Sequence, residues 1–170
     1  MTIGKQLVEQ LRQLADGAIA APAEGAPLTV ASDSLHAQLA FFDRDRYSVA
    51  LQELVIGSGT GTPEDRRAYL SAAAAEVARR LGFLEEPLAV WELDGAEGIA
   101  QLRSSPPLRE GDEVSYWEVT LTADQPSARA ARYRWSPGMP EREVVAYPAT
   151  FALLGRMADA LAGALEVHDA

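Results

Sequence analysis

The stretch 60–82 constrains the fold of this chain most, because it carries the start and stop signals of one helix together with an apolar stripe. Thr62 is placed as the N-cap residue, and Pro63 takes the first helical position, where its missing N–H costs nothing. Asp65 lies at capping-box spacing, and Gly82 supplies a residue that can turn left-handed and end the helix. The stripe is rich in alanine, so we expect this helix to lie close against a sheet. Its members are Leu70, Ala73, Ala74, Val77, Ala78 and Leu81.

Segments on both sides of this predicted helix alternate apolar and polar residues, which predicts strands. Three of them precede the helix: 28–31, 36–42 and 47–56. The four polar residues 43–46 join the second segment to the third, which predicts a hairpin. The segments after the helix predict an antiparallel meander of four or five strands with one polar face. They are 88–93, 99–103, 113–122, 129–135 and 142–146.

The two ends of the chain predict two further helices. Residues 2–19 place apolar side chains on one face, and a linker of small residues, 20–27, follows. Pro148 opens a closing helix of about 18 residues that is apolar around more than half of its circumference, and 167–170 form a frayed tail. The sequence therefore predicts a single α+β domain over 1–170, in the order α-βββ-α-ββββ(β)-α. Its antiparallel sheet of about six to eight strands is packed by three helices.

The composition disfavours several classes of function. The formal net charge of −10 at pH 7 opposes nucleic acid as a partner, since that affinity depends on clustered lysine and arginine. The absence of cysteine excludes disulfides, thiolate metal sites and a cysteine nucleophile. Residues 1–13 lack the apolar region of a signal peptide, and no apolar run reaches transmembrane length. We therefore expect a cytoplasmic protein that does not associate with a membrane.

Gly57, Gly59 and Gly61 lie between a predicted strand and the central helix, where backbone N–H groups can cradle a phosphate. Two features argue against a phosphate site. The loop has no lysine of the Walker A type, and Glu64 and Asp65 would repel an anion from the first helical turn. We interpret the loop as a linker and helix cap.

A locally basic segment lies late in the chain and consists of Arg129, Arg132, Arg134 and Arg142 with Tyr133 and Trp135 interleaved. Arginine and aromatic side chains on one sheet face can stack on single-stranded nucleic acid. Alternation, however, places Tyr133 and Trp135 on the side opposite Arg132 and Arg134. We therefore expect the aromatic rings in the core and the arginines on a solvated face. Their expected partners are glutamates across strands: Glu113, Glu118, Glu141 or Glu143.

The sequence contains no constellation for a known reaction. His36 and His168 are the only histidines, and neither has the spacing of a metal-binding or catalytic motif. The neighbouring acids Glu85 and Glu86 are expected to be solvated rather than catalytic. We expect no catalytic residue, no metal site and no cofactor, and interpret the protein as a non-enzyme.

The order of the elements resembles the type III secretion chaperone-like proteins, including the YbjN family. The matching pieces are 2–19, the strands in 28–56, the helix 62–81, the strands in 88–146 and the helix 148–165. The second set of strands is one or two members longer than in those proteins. The resemblance implies a small, acidic, often dimeric protein that acts as a chaperone for a partner.

Three hypotheses of function follow. The leading one is a non-catalytic, homodimeric interaction module that binds a polypeptide, with an interface on the closing helix at Phe151, Leu154, Met157, Leu161 and Leu165. The second is a binding protein or enzyme for a small anionic ligand, held in a pocket between sheet and helix. The predicted pocket residues are Trp91, Trp117, Tyr133 and Trp135, with Arg132 or Arg134 for the anion. The third, nucleic-acid binding by the arginine strip, is opposed by the net charge.

Overall fold

The computed structural model of the protein describes residues 1–16 and 27–167. This part contains three helices and ten strands in the order α-βββ-α-βββββββ-α. The elements are α1 (Ile3–Asp16), β1 (Leu28–Ser32), β2 (Leu35–Arg44), β3 (Ser48–Ser58), α2 (Arg66–Arg80), β4 (Leu88–Asp94), β5 (Ile99–Ser104), β6 (Leu108–Glu110), β7 (Glu113–Thr122), β8 (Ser127–Trp135), β9 (Glu143–Val144), β10 (Tyr147–Thr150) and α3 (Phe151–Leu165). The predicted linker up to residue 26 and tail residues 168–170 lie outside the described residues, as do 17–19 of the first predicted helix.

The ten strands form one antiparallel sheet whose main path is β1-β2-β3-β8-β7-β5-β4. The short strands β10, β6 and β9 pair with β3, β7 and β8. The α+β class and the three helices are confirmed, but the sheet is larger than the predicted six to eight strands. One extra strand, β6, falls between the predicted strands 99–103 and 113–122, where Gly111 adopts a positive φ of 62° and turns the chain from β6 into β7.

All three helices pack on the same face of this sheet. Helix α2 covers β4, β5 and β7, whereas α3 covers β3, β8 and β10, and α1 lies against β1, β2 and α3. One apolar cluster joins buried residues of the three helices to alternate residues of the strands, such as Leu102, Val119 and Ala130. We call this the helix-covered face. The opposite face of the sheet has no helix over it in the described ranges, and we call it the uncovered face.

Helix α2 begins three residues later than the N-cap assignment of Thr62 requires. Asp65 is the N-cap residue, and its side chain accepts a 3.0 Å hydrogen bond from the N–H of Ala68. The Thr62 hydroxyl donates to the backbone oxygen of Asp124 instead. The end of the helix also differs, because the chain leaves the helix after Arg80 and Gly82 does not adopt a left-handed conformation. A tertiary contact therefore decides which of two capping residues is used.

The closing helix also starts later than predicted. Tyr147–Thr150 form β10, which runs antiparallel to β3, so Pro148 lies in a strand and not at the helix start. Thr150 is the N-cap residue of α3 and accepts a 3.1 Å hydrogen bond from the N–H of Leu153. The predicted strand 142–146 shortens to Glu143–Val144. None of the helices in the described ranges has the length and apolar content needed to cross a bilayer.

Candidate functional site on the uncovered face

A buried carboxylate lies between two arginines on the uncovered face. Glu118, on β7, is 4% exposed. Its Oε2 accepts hydrogen bonds from Nε of Arg103 at 2.8 Å and from Nη1 of Arg142 at 2.5 Å, and its Oε1 accepts from Nη2 of Arg142 at 3.0 Å. Strand register places Arg103 directly opposite Glu118. Two cations share one carboxylate, so this site carries one positive charge in excess.

The electrostatics of this site favour the ionised carboxylate. Burial alone would raise the pKa of Glu118, but the hydrogen bonds and charges of Arg142 and Arg103 outweigh it and lower the pKa below its ordinary value of 4.5. The hydrogen bond to Glu118 in turn raises the pKa of Arg142. Both groups are therefore charged at neutral pH and hold each other in one geometry.

Three aromatic rings surround these charges. The guanidinium of Arg103 lies 4.9 Å from the ring centroid of Trp91 and 5.1 Å from that of Tyr116. The guanidinium of Arg142 lies 3.8 Å from the ring of Tyr133, and burial raises the pKa of the Tyr133 hydroxyl. We call this set the Glu118 cluster: Trp91, Arg103, Tyr116, Glu118, Tyr133 and Arg142. Cation–π contacts of this kind hold the rings in place.

The Glu118 cluster reaches one edge of the sheet at β4. Within the described residues β4 pairs only with β5, so its outer side has no strand neighbour. A β-bulge interrupts the pairing between Val90 and Glu92, and Trp91 is the extra residue. Val90 is 52% exposed and Trp91 is 67% exposed. The edge strand therefore presents the ring of Trp91 next to an ordered group of charges, whereas register places Val90 opposite Leu102.

The structure does not bring the predicted pocket residues together. Trp117 is fully buried on the helix-covered face. Tyr133 lies on the uncovered face opposite Tyr116, and alternation places Trp135 on the same side as Tyr133. Since Trp91 also lies on the uncovered face, the sheet itself separates Trp117 from the other three rings. The predicted pocket between sheet and helix is not formed by these residues.

The predicted arrangement of Arg132 and Arg134 is also corrected. Arg132 is buried on the helix-covered face, opposite Trp117 in register, and its Nη1 donates to Oε1 of Glu86 at 2.9 Å. The sequence predicts a solvated Arg132, because alternation alone does not show that a buried glutamate lies beside this position. Glu86 is correspondingly buried rather than solvated. Arg134 does meet the expectation, since it is exposed and its Nη2 lies 2.8 Å from Oε2 of Glu143.

The glycine-rich loop lacks free donors for a phosphate at its start. The N–H of Ser58 donates to the oxygen of Pro126 at 2.8 Å, and that of Gly59 donates to the oxygen of Ser34 at 2.7 Å. Gly57 belongs to β3, and a Cβ there would overlap the imidazole of His36. Gly61 has a φ of +87°, so it serves as a turn residue. The loop connects β3 to α2, as its sequence suggested.

The predicted interface residues of the closing helix are buried within the chain itself. They are Phe151, Leu154, Met157, Leu161 and Leu165. Helices α1 and α2 and the sheet cover α3 on several sides, and the hydroxyl of Tyr69 donates to the backbone oxygen of Leu165 at 2.8 Å. These five side chains are not available to a second copy in this arrangement. The high apolar content of α3 is explained by its central position.

Sequence reasoning missed two of the six members of the Glu118 cluster. Alternation in 113–122 does place Glu118 on the polar side of its strand and predicts an arginine as its partner. Arg103 and Tyr116 were not singled out, because their meeting depends on strand register and not on spacing along the chain. Arg142 comes from the segment after β8 and folds back over Tyr133. No pattern local to the sequence reports such a return.

Metal ligation and known relatives add nothing to this site. Among residues 1–16 and 27–167, no three histidine, aspartate or glutamate side chains are grouped to hold a metal ion. The chain matches no protein-family model, no curated protein and no solved structure. The resemblance to the type III secretion chaperone-like proteins therefore stays a prediction.

Proposed function

We propose that the protein is a non-catalytic binding module that holds an extended polypeptide segment along β4, beside the Glu118 cluster. The observation that supports it is the position of Trp91, which is largely exposed on an edge strand while its ring lies over a guanidinium fixed by Glu118. This proposal keeps the chaperone-like role suggested by the element order and moves the binding surface from α3 to the sheet edge.

An edge strand suits an extended peptide because its outer N–H and C=O groups are unpaired and can accept another strand. Side chains of alternate residues then provide specificity. Leu88–Asp94 give seven residues of such an edge, with Ala89, Val90 and Trp91 exposed. The bulge at Trp91 interrupts the regular pairing pattern, which limits indiscriminate strand addition.

Trp91 has the properties of an interface anchor. Tryptophan is enriched among the residues that contribute most to binding energy, because it buries a large area with few rotatable bonds. Arg103 lies between the rings of Trp91 and Tyr116, and its Nε is held by Glu118. The ring is thus ordered before the partner arrives, which reduces the entropy lost on binding.

The charges of β4 indicate the chemistry of the partner. Glu92 and Asp94 follow Trp91 along the edge, in a protein of net charge −10. A segment that offers apolar residues to Val90 and Trp91 and basic residues to the two acids complements this edge. Two copies of the protein would bring two acidic edges together, so we favour a different polypeptide over self-pairing at β4. The homodimer predicted from the sequence stays a prediction.

The test uses ten-residue peptides selected on the full chain from a displayed random library. We expect the selected peptides to be extended and to combine apolar with basic residues. Fluorescence anisotropy should show at least about tenfold weaker binding to Trp91→Ala. Trp135→Ala is the matched control, since it removes a partly exposed tryptophan from the same face away from the edge, and it should leave affinity unchanged. Hydrogen exchange should show bound-state protection of amides within 88–94.

Several outcomes would overturn this function. One is a library that yields no binder, and another is binding that Trp91→Ala does not weaken. Protection of amides away from β4 would place the partner elsewhere. Sedimentation that shows a dimer dissociated by Trp91→Ala would assign the edge to a second copy and not to a different polypeptide.

A further inference from the structure

We propose that the seam between α1 and α3 is a second docking surface, which takes an acidic amphipathic polypeptide segment. Two adjoining cavities lie along this seam, of about 420 Å³ and about 570 Å³. They share Arg12 and Ala152 as lining residues, so they lie side by side, and we call the two together the α1/α3 groove. It lies on the helix layer, and none of its lining residues belongs to the Glu118 cluster or to β4.

Small and apolar residues form the floor of the α1/α3 groove, where two glycines let the two helices approach closely. A Cβ on Gly4 would overlap the carbonyl oxygen of Gly155, and a Cβ on Gly155 would lie 3.0 Å from Cγ2 of Val8. Val8 and Ala152 continue the floor. A segment seated here would therefore bury apolar side chains against the seam.

The rim of the groove is mainly cationic, whereas the protein as a whole is acidic. Four cationic side chains line the two cavities: Lys5, Arg12, Arg46 and Arg156. Among the described residues that line the cavities, Glu9 and Asp159 carry the opposite charge, and Oδ1 of Asp159 accepts a 2.8 Å hydrogen bond from the N–H of Gly4. The formal charges of these lining residues sum to +2, in a protein of net charge −10. An acidic segment is attracted here and repelled by most of the remaining surface.

The size and order of the groove favour a polypeptide over a small anion. From Gly4 to Arg12 the seam runs about 12 Å along α1, the length of about two helical turns. The guanidinium of Arg156 lies 4.1 Å from the ring centroid of Phe83, so one rim cation is already held in place. A segment with acidic residues along one side and apolar residues along the other matches both the rim and the floor.

The experiment uses a fluorescein-labelled, helix-forming peptide of 14 residues with leucine on one face and glutamate on the other. The comparison peptide has lysine in place of every glutamate. We expect saturable binding of the glutamate peptide alone, weakened as salt rises. The double variant Lys5→Glu with Arg12→Glu should bind about tenfold more weakly or worse. Arg109→Glu, an exposed charge reversal on β6, is the control and should change nothing.

One variant distinguishes binding in the α1/α3 groove from binding at β4. Trp91→Ala should bind the glutamate peptide as tightly as the unchanged protein, whether or not the edge takes a partner. The inference is overturned if both peptides bind equally, or if the double variant binds normally. Displacement of the peptide by an oligonucleotide would assign the groove to nucleic acid. A dimer that dissociates in the double variant would assign it to a second copy.

Discussion

Nη1 of Arg132 lies 2.9 Å from Oε1 of Glu86 on the helix-covered face of the sheet, and both side chains are almost fully buried. The rings of Trp117 and Tyr147 lie 5.7 Å and 5.9 Å from the same guanidinium. An ion pair taken out of water contributes little net stability as a whole, but either ion left alone there is costly. The ion pair therefore ties β8, which carries Arg132, to the segment after α2, which carries Glu86.

Glu86→Ala should lower the free energy of unfolding by about 3 kcal/mol, because it leaves Arg132 buried without its main partner. Glu85→Ala is the control. Glu85 is half-exposed and lies 3.9 Å from Nη2 of Arg132, so its removal should cost less than about 1 kcal/mol. Urea unfolding measures both. A double change of Glu86→Leu and Arg132→Met should recover most of the loss, and equal losses for all three variants would contradict the assignment.

The stabilising contribution of ionised Glu118 to the free energy of unfolding should be lost in acid. Its pKa is lowered in the folded state, so the unfolded state binds its proton first as pH falls. Its contribution is complete above the ordinary pKa of 4.5 and is lost as pH falls through the lower folded value. Urea midpoints between pH 7 and pH 3 for the unchanged protein and Glu118→Gln test this. The difference in stability between them should narrow with acidification, and a constant difference would refute the role of ionisation.

Asp65, and not Thr62, should control the start of α2. Asp65→Ala should lower the free energy of unfolding by about 1 kcal/mol, because the N–H of Ala68 loses its acceptor. Hydrogen exchange should then show faster exchange at 68 and 69. Thr62→Ala removes only the bond to Asp124 and should leave these amides protected. Asp65→Ser should restore the cap, and faster exchange in Thr62→Ala alone would favour the earlier start.

Gly4→Ala should destabilise the contact between α1 and α3, because the new methyl group meets backbone atoms of Gly155 that cannot move aside cheaply. We expect a loss of about 2 kcal/mol in the free energy of unfolding. Gly82→Ala is the control, since its Cβ would lie 3.5 Å from the nearest atom and its φ is not positive. An unchanged urea midpoint in Gly4→Ala would show that α1 sits farther from α3.

Local patterns were sufficient for much of the architecture. The alanine-rich stripe of 70–81 does face the core, and the 36–42 and 47–56 segments do pair as a hairpin. Both predictions depend on the spacing of apolar residues, which can be seen within each element's own sequence. Patterns failed where a distant group competes for a residue: Asp124 takes the Thr62 hydroxyl, and β3 takes the segment of Pro148 into the sheet.

The amino-acid order by itself determined the α+β class, three helices, an antiparallel sheet with a polar side, and an acidic chain without cysteine. The tertiary structure decided which face each charged side chain occupies. It buried Arg132 beside Glu86 and enclosed α3 within the chain, and it assembled Arg103, Glu118 and Arg142 beside the exposed ring of Trp91. The physical reason is that burial of a charge depends on a partner far away in sequence, whereas burial of an apolar stripe depends only on the stripe.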